Sequence, residues 1–170
     1  MKTALELIPA GETFTGKIIG DVTLDFDSRR RRRIRLHTDE GEAFLLNLSE
    51  VKTLRDGDIL KLEDGTGIRV KAAPEPVVDV TCKNTAELVR VAWHLGNRHL
   101  PTQLMGDRLR IRQDHVIEDM LQKLGADPVR VDAPFNPEGG AYGHGETMGH
   151  DHGHSHDDDH GNSHSHDHSH

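Results

Sequence analysis

Residues 84–99 read NTAELVRVAWHLGNRH, and this stretch decides how the second half of the chain folds. Asn84 is a favourable N-cap residue, and Glu87, three positions later, completes a capping box. The apolar positions that follow have helical spacing: Leu88, Val89, Ala92 and Leu95. Gly96 indicates where the helix ends. The stretch therefore predicts an amphipathic helix with His99 at its exit.

Two histidines lie near this predicted helix end. His94 and His99 are five residues apart, so they cannot share one face of a continuous helix, which needs a spacing of three or four. Asn97 tolerates the left-handed conformation, which would place His99 in a turn before Pro101. We interpret His94 as a helix-surface residue. On spacing alone, His99 is either a metal ligand or an ordinary turn residue.

The elements around this helix predict a ferredoxin-like α+β domain over residues 76–143. A β-branched run, Val77–Cys82, precedes the helix, and a strand candidate, Arg108–Arg112, follows it. Asp114 can cap a second helix that Gly125 ends, and Pro128–Asp132 reads as a final strand. The order of strands and helices is that of a ferredoxin-like unit. Because this unit is small, dimerisation would help it to bury enough surface.

Residues 1–75 predict a small all-β domain. Turn residues recur about every ten positions, and hairpin signals occur at Asp39-Glu40-Gly41 and Asp64-Gly65. The predicted strands lie between these turns: Lys17–Leu24, Arg31–His37, Ala43–Leu48, Ile59–Leu62 and Ile68–Val70. The pattern favours a barrel or a sandwich. Pro74-Glu75-Pro76 is the candidate linker, because both prolines disfavour regular structure.

Residues 144–170 form a tail of a different composition. They contain ten His, six Asp or Glu and no Lys or Arg. Neutral imidazoles bind borderline divalent metals such as Ni²⁺, Cu²⁺ or Zn²⁺, and several on one flexible chain raise the local ligand concentration. The candidate tail ligands are His144, His150, His152, His154, His156, His160, His164, His166, His168 and His170. The composition predicts disorder without metal, and release of metal as the imidazoles protonate below a pKa of about 6.5.

The tail alone leaves other interpretations open. It is interspersed with Asp, Gly and Ser, unlike the uninterrupted His run of an engineered tag. It can also be read as a solvated acidic end, or as a store that binds metal without delivering it. Raw affinity for N and O ligands peaks at Cu²⁺, so composition does not select nickel.

Composition and charge exclude several classes of protein. The chain of 170 residues has a net charge of −8, of which the tail supplies −6, so the body is close to neutral. A nearly neutral body with few aromatic residues disfavours nucleic-acid binding. No apolar run is long enough for a membrane helix, and the N-terminus does not read as a secretory signal. The single cysteine, Cys82, excludes an intramolecular disulfide, and we expect a cytoplasmic protein.

Other features of the body carry weaker signals. The run Arg29–Arg33, with Arg35, either docks an acidic partner or is a solvated strand edge that charge protects from aggregation. Cys82 reads as a small apolar residue rather than a ligand. His115 follows Asp114 at a helix start, where capping is the simplest role for the carboxylate. The sequence contains no phosphate-binding loop, nucleophile elbow or HExxH set, so we expect no enzyme activity.

Three motifs together resemble the urease accessory protein UreE family. They are HLGNRH at residues 94–99 followed by Pro101, DHVIEDML at 114–121, and FNPEGGAYG at 135–143 before the His-rich end. The resemblance implies an N-terminal β domain called peptide-binding and a ferredoxin-like metal-binding domain. It also implies a homodimer in which two copies of His99 share a nickel ion. His115 would form a peripheral metal site, although Gln113 stands where some members have a second histidine.

The function implied by the resemblance is that of a nickel metallochaperone. Such a protein hands Ni²⁺ to the GTPase UreG and, through the accessory complex, to the urease apoprotein. The tail histidines would complete or extend the coordination around His99. One alternative is a passive divalent-metal buffer, which needs the tail but no partner. The other is an enzyme with His99 and His115 at a catalytic metal, which requires a third fixed ligand and a general base.

Overall fold

The computed structural model describes residues 1–139, which form an all-β region followed by an α+β region. The first region contains six strands and a short 3-10 helix, Asp27–Arg29. The strands are β1 Lys2–Ile8, β2 Ile18–Leu24, β3 Arg30–His37, β4 Ala43–Thr53, β5 Ile59–Leu62 and β6 Gly67–Ala72. They form one sheet in the order β2-β6-β5-β1-β4-β3, where the sequence left a barrel and a sandwich open.

The first sheet has mixed pairing. Strand β1 runs parallel to β4 and β2 runs parallel to β6, while the β3–β4 and β5–β6 pairs are the antiparallel hairpins that the turn signals predict. Alternating apolar residues such as Phe44, Leu46 and Leu48 point into the core, as a half-buried strand requires. Strand β1 is central but was not predicted. Its alternation is broken by exposed Leu5 and by a register shift between Ala4 and Glu6.

The second region packs two helices on one face of a four-stranded antiparallel sheet. Its elements are β7 Pro74–Thr81, α1 Thr85–Asn97, β8 Gln103–Leu104, β9 Leu109–Arg112, α2 His115–Lys123 and β10 Asp127–Pro134. The sheet order is β10-β7-β9-β8. The order of helices and strands is the predicted one, with the short strand β8 added beside the strand predicted at Arg108–Arg112. No helix within residues 1–139 combines the length and apolar character needed to cross a bilayer.

The proposed linker is part of a strand. Strand β7 includes Pro74, Glu75 and Pro76. Pro74 pairs with Pro134 of β10, and Pro76 pairs with Asp132. Strand β9 pairs with β7 only from Val77 onward, so the prolines face an open edge on their other side. A missing N–H is tolerated at such an edge. The expectation that Pro74 and Pro76 would interrupt regular structure was therefore wrong.

A buried arginine joins the two regions. The Arg29 guanidinium is completely buried and donates to the Leu54 carbonyl at 3.1 Å, to the Phe135 carbonyl and to the Asn136 side chain at 3.3 Å. Burial lowers the pKa of this guanidinium from its usual value. Phe26 stacks edge-on against Phe135, with ring centroids 5.2 Å apart. Arg29 therefore does not belong to the exposed basic run in which the sequence placed it.

Candidate metal centre

Helix α1 ends in two hydrogen bonds that form a Schellman motif. The His99 N–H donates to the Gly96 carbonyl at 3.0 Å, and the Leu100 N–H donates to the Leu95 carbonyl at 3.3 Å. This pairing requires a left-handed residue just beyond the helix. His99 takes that conformation, with a φ of 56°, and among residues 1–139 it is the one non-glycine residue with positive φ.

The left-handed residue lies two positions later than the sequence predicted. Asn97 is the last residue of α1, and Arg98 is its C-cap. The helix passes through Gly96, where an added Cβ would meet no atom within 4 Å. A glycine weakens a helix by only about 1 kcal/mol, so tertiary packing of Leu95 can carry the helix through it. His99 nevertheless lies just beyond the helix and before Pro101, as expected.

Helix α2 ends in the same motif, but with glycine at the equivalent position. The Gly125 N–H donates to the Gln122 carbonyl at 3.0 Å, and the Ala126 N–H donates to the Leu121 carbonyl at 3.0 Å. Gly125 has a φ of 84°. The two helices of one region therefore solve the same geometric problem with different residues, and glycine is the residue that favours this backbone.

The imidazole at position 99 is not needed for the turn. A non-glycine residue in the left-handed region costs about 1 kcal/mol or more, and such strain concentrates at functional sites. The His99 side chain is exposed to solvent, where its ring nitrogens are accessible. The backbone therefore holds an accessible imidazole just beyond α1 at the expense of stability.

An apolar surface extends from this turn along α1. Val89 and Trp93 are each 63% exposed and lie four residues apart, so they share one face of the helix with Gly96. Leu104 of β8 is 53% exposed. Leu104 lines a groove of about 260 Å³, together with Ala92, Gly96, Leu100, Pro101, Thr102, Glu138 and Gly139. Exposed apolar side chains of this size gathered in one place mark an interaction surface.

His94 faces a different environment from His99. Its side chain is half-buried, and its ring lies edge-on to Trp93 with centroids 5.1 Å apart. Its carbonyl accepts a hydrogen bond from the Arg98 guanidinium at 3.5 Å. His94 therefore contributes packing on the surface of α1, as its spacing from His99 predicts.

His115 is the first residue of α2 and is exposed. The preceding Asp114 caps the helix, since its carboxylate accepts the N–H groups of Val116 at 3.0 Å and Ile117 at 3.2 Å. The capping role of Asp114 is confirmed. A cavity of about 250 Å³ lies between the segment after His99 and the start of α2, and is lined by Leu100, Pro101, Ile111, Arg112, Gln113, Asp114 and Ile117.

An ion pair fixes the middle of α2 on the sheet. The Arg130 guanidinium of β10 donates to both carboxylate oxygens of Glu118, at 2.9 and 3.1 Å. These hydrogen bonds lower the pKa of Glu118 below its usual value of 4.5. A bidentate pair of this kind restricts the rotation of α2, and therefore the direction in which His115 projects.

The chain returns to the His99 turn before the described part ends. The Asn136 N–H donates to the Gln103 side chain at 3.0 Å, and the Glu138 N–H donates to the Thr102 carbonyl at 2.9 Å. Residues 135–138 therefore lie against the segment that begins three residues after His99. The sequence pattern did not predict this contact, because it joins two irregular segments that carry no periodic signal.

Within the described part of the chain, no three His, Cys, Asp or Glu side chains converge on a position suited to a metal ion. Cys82 packs against the core of the α+β region, and burial raises the pKa of its thiol. Among residues 1–139, neither His99 nor His115 therefore belongs to a site with three such ligands. The tail ligands predicted at residues 144–170 lie outside the described residues.

Two family models match the chain. The model described as the N-terminal domain of the UreE urease accessory protein matches residues 4–73, and the model of its C-terminal domain matches residues 75–170. Among curated proteins, the urease accessory protein UreE of Rhodopseudomonas palustris strain BisB18 is 55% identical over 130 residues, which are 76% of this chain and 62% of that protein. The proteins of the same name from Cereibacter sphaeroides and Rhodobacter capsulatus are each 49% identical, and cover 87% and 89% of this chain.

Relative lengths differ among these proteins. The alignments span 79% of the Cereibacter sphaeroides protein and 93% of the Rhodobacter capsulatus protein. In four other relatives they span less than two thirds of the length, at 56%, 58%, 62% and 64%. The two family models together nevertheless cover nearly all of the chain, and the identities are far above 30%. The chain belongs to the urease accessory protein UreE family.

Proposed function

We propose that this protein is a nickel metallochaperone that takes part in urease maturation. Membership of an accessory protein family supports a role in maturation rather than catalysis. One observation supports the proposal most strongly: His99 is the left-handed residue that ends α1, where the equivalent residue at the end of α2 is Gly125. A strained, exposed imidazole is the type of group expected to bind a borderline metal such as Ni²⁺, with Zn²⁺ and Cu²⁺ as competitors.

A second copy of the chain would complete the site. One imidazole binds a divalent ion weakly, and among residues 1–139 His99 belongs to no group of three His, Cys, Asp or Glu side chains that could hold the ion. The exposed Val89 and Trp93 beside the turn form a surface that a homodimer would bury. We therefore infer that one His99 from each protomer of the ferredoxin-like domain, residues 76–143, holds the ion at the dimer interface.

Delivery requires a site that exchanges its ligands. A site with two protein imidazoles is open, unlike a structural site closed by four ligands. The tail, residues 144–170, would supply further imidazoles, and the last described residues, 136–138, contact the segment that follows the His99 turn. The proposed recipient is the GTPase UreG in the cytoplasm, and through it the urease apoprotein complex. His115 would form a separate peripheral site of lower affinity.

Calorimetry with Ni²⁺ tests the role of His99. We expect His99→Ala to abolish a tight phase with one ion per two chains, while the weaker phases from the tail persist. His37→Ala is the matched control, since His37 is an exposed histidine at the end of β3, and it should leave both phases intact. A tight phase that survives in His99→Ala would contradict the proposal.

A passive metal buffer is the alternative function. It would bind the same ions through the tail but would have no specific recipient. Co-purification with UreG in the presence and absence of Ni²⁺ separates the two functions. We expect UreG to co-purify with the wild type and less strongly with His99→Ala. If the protein is a passive buffer, UreG should co-purify with neither the wild type nor the variant.

A further inference from the structure

Strand β3 carries positive charge that the rest of the described chain does not neutralise. Arg32, Arg33 and Arg35 are exposed, and none of them has an ion pair with any residue in the range 1–139. Several arginines elsewhere in the chain do have such pairs, as Arg110 does with a carboxylate at 2.7 Å and Arg130 does at 2.9 Å. The three unpaired guanidinium groups therefore form a basic surface, which we call the arginine face.

The fold keeps this surface open. Strand β3 is at the edge of the six-stranded sheet, so no strand formed by residues 1–139 covers one of its sides. Ile34 and Leu36 pack against the core, which directs the alternating Arg33 and Arg35 toward the outer side of the sheet. Charge on an edge strand also prevents edge-to-edge association, and this role is compatible with attraction of an acidic segment.

The described chain ends next to the start of β3. Gly139, Lys52 and Thr53 line one groove of about 280 Å³. In the sheet, Thr53 pairs with Arg30 and Lys52 pairs with Arg31. The segment that follows Gly139 therefore begins one strand away from the beginning of β3.

The charge and length of that segment match the arginine face. Residues 140–170 contain six acidic residues, three of them in the run Asp157–Asp159, and no Lys or Arg. An eight-residue strand such as β3 is about 27 Å long. A chain of 31 residues reaches up to about 100 Å when extended, so the acidic run can reach every arginine of β3.

We propose that the metal-free acidic segment 144–170 docks in cis on the arginine face, and that divalent metal competes with this docking. Each exposed ion pair is weak, but tethering supplies an effective concentration of about 1 mM or more. The same tether favours this occupant over an acidic surface of a separate protein. Each bound divalent ion adds two positive charges, so three ions would cancel the −6 of the segment and weaken its attraction to arginine.

Paramagnetic relaxation in the full-length chain tests the docking. A spin label is placed by Ser163→Cys in a Cys82→Ser background, and the broadening of backbone amide signals is measured in EDTA. We expect the amides of β3 to broaden more than those of α2 at low salt. The difference should disappear at about 1 M NaCl, where the screening length falls to about 3 Å.

A charge-reversal pair with a matched control identifies the surface. Arg33→Glu with Arg35→Glu should lower the ratio of docked to free segment about tenfold, because two attractions become repulsions. Lys17→Glu with Lys83→Glu makes the same change in net charge at exposed lysines elsewhere, and should leave the β3 broadening unchanged. Equal effects of the two pairs, or no excess broadening of β3 in the wild type, would overturn the proposal and leave the arginine face open to an external acidic partner.

The metal arm uses three equivalents of Zn²⁺, which is diamagnetic. We expect the broadening of β3 to fall, and broadening that persists unchanged would overturn the competition between metal and docking. This arm rests on the proposed function, since it requires the tail to bind metal. The measurements in EDTA do not, so the failure of docking is distinguishable from the failure of metal binding.

Discussion

Replacing His99 with glycine separates the backbone requirement at this position from the function of the side chain. The left-handed conformation costs a residue with a side chain about 1–2 kcal/mol. Glycine removes that cost but loses about 0.4–1 kcal/mol through its freer unfolded chain. We therefore expect His99→Gly to be more stable than His99→Ala by about 1 kcal/mol. This is the reverse of the order in a helix interior, where glycine is less stable than alanine.

The assay is urea denaturation in EDTA at fixed protein concentration, followed by circular dichroism. Gly125→Ala is the internal control, because Gly125 occupies the same motif and an added Cβ there meets no atom within 4 Å. Its loss of about 1 kcal/mol therefore reports the backbone conformation alone. We expect the free energy of unfolding of His99→Gly to exceed that of His99→Ala. The difference should equal the stability that the wild type loses on Gly125→Ala. His99→Gly equal to or less stable than His99→Ala would refute the reasoning.

Nickel should stabilise the wild type more than the His99→Gly variant. A ligand that binds only the folded state adds about 2.7 kcal/mol at a concentration of 100 times its Kd. The wild type gains this stabilisation through His99. The variant does not gain it. The tail binds metal equally in the folded and the unfolded chain, so this binding does not change the free energy of unfolding. Equal stabilisation of both proteins by Ni²⁺ would contradict the role of His99.

Three further changes test the fold around the site. Arg29→Met leaves buried acceptors without donors and should cost about 3 kcal/mol, whereas Arg33→Met, on the exposed face of β3, should change stability by less than about 0.5 kcal/mol in urea denaturation. Asp114→Ala should cost about 1 kcal/mol in the same assay, because two N–H groups at the start of α2 lose their acceptor. The pair between Glu118 and Arg130 lowers the carboxyl pKa, so its stabilisation is present above the usual pKa and is lost as pH falls through the lowered value. Glu118→Gln should therefore be less stable than wild type by about 0.5 kcal/mol at pH 7, a small difference because Arg130 is exposed, and the difference should shrink as the pH falls through the lowered pKa.

Most of the α+β region was predictable because its signals are local. The capping residues Asn84 and Asp114 and the terminating Gly125 lie within a few residues of the helices that they begin or end. Hairpin signals at residues 39–41 and 64–65 are local in the same sense. Such short-range patterns survive folding unless tertiary packing opposes them.

The elements that were missed depend on long-range contacts. Strand β1 is held between β4 and β5, and its parallel partner lies about 40 residues away in the chain, so no turn signal announces it. Pro74 and Pro76 can lie in a strand because β9 pairs with β7 only from Val77 onward, so β9 needs no N–H donor from either proline. The burial of Arg29 also depends on a distant carbonyl, that of Phe135, which sequence periodicity cannot reveal.

The candidate site shows the same division. The motif ending at His99 predicted a histidine just beyond a helix, and the structure has it there, with its side chain exposed. The sequence did not reveal that His99 takes the left-handed conformation that Gly125 takes at the end of α2. A sequence-level preference for Asn97 as the left-handed residue gave way to the packing of Leu95 and Leu100, which sets where the helix stops.

Anomalous diffraction at the nickel absorption edge, from crystals of the nickel-loaded full-length chain, tests the central claim most directly. The account predicts a nickel peak between two copies of the chain, within bonding distance of His99 from each. A tightly bound nickel held within a single copy, or at an interface that excludes His99, would contradict it.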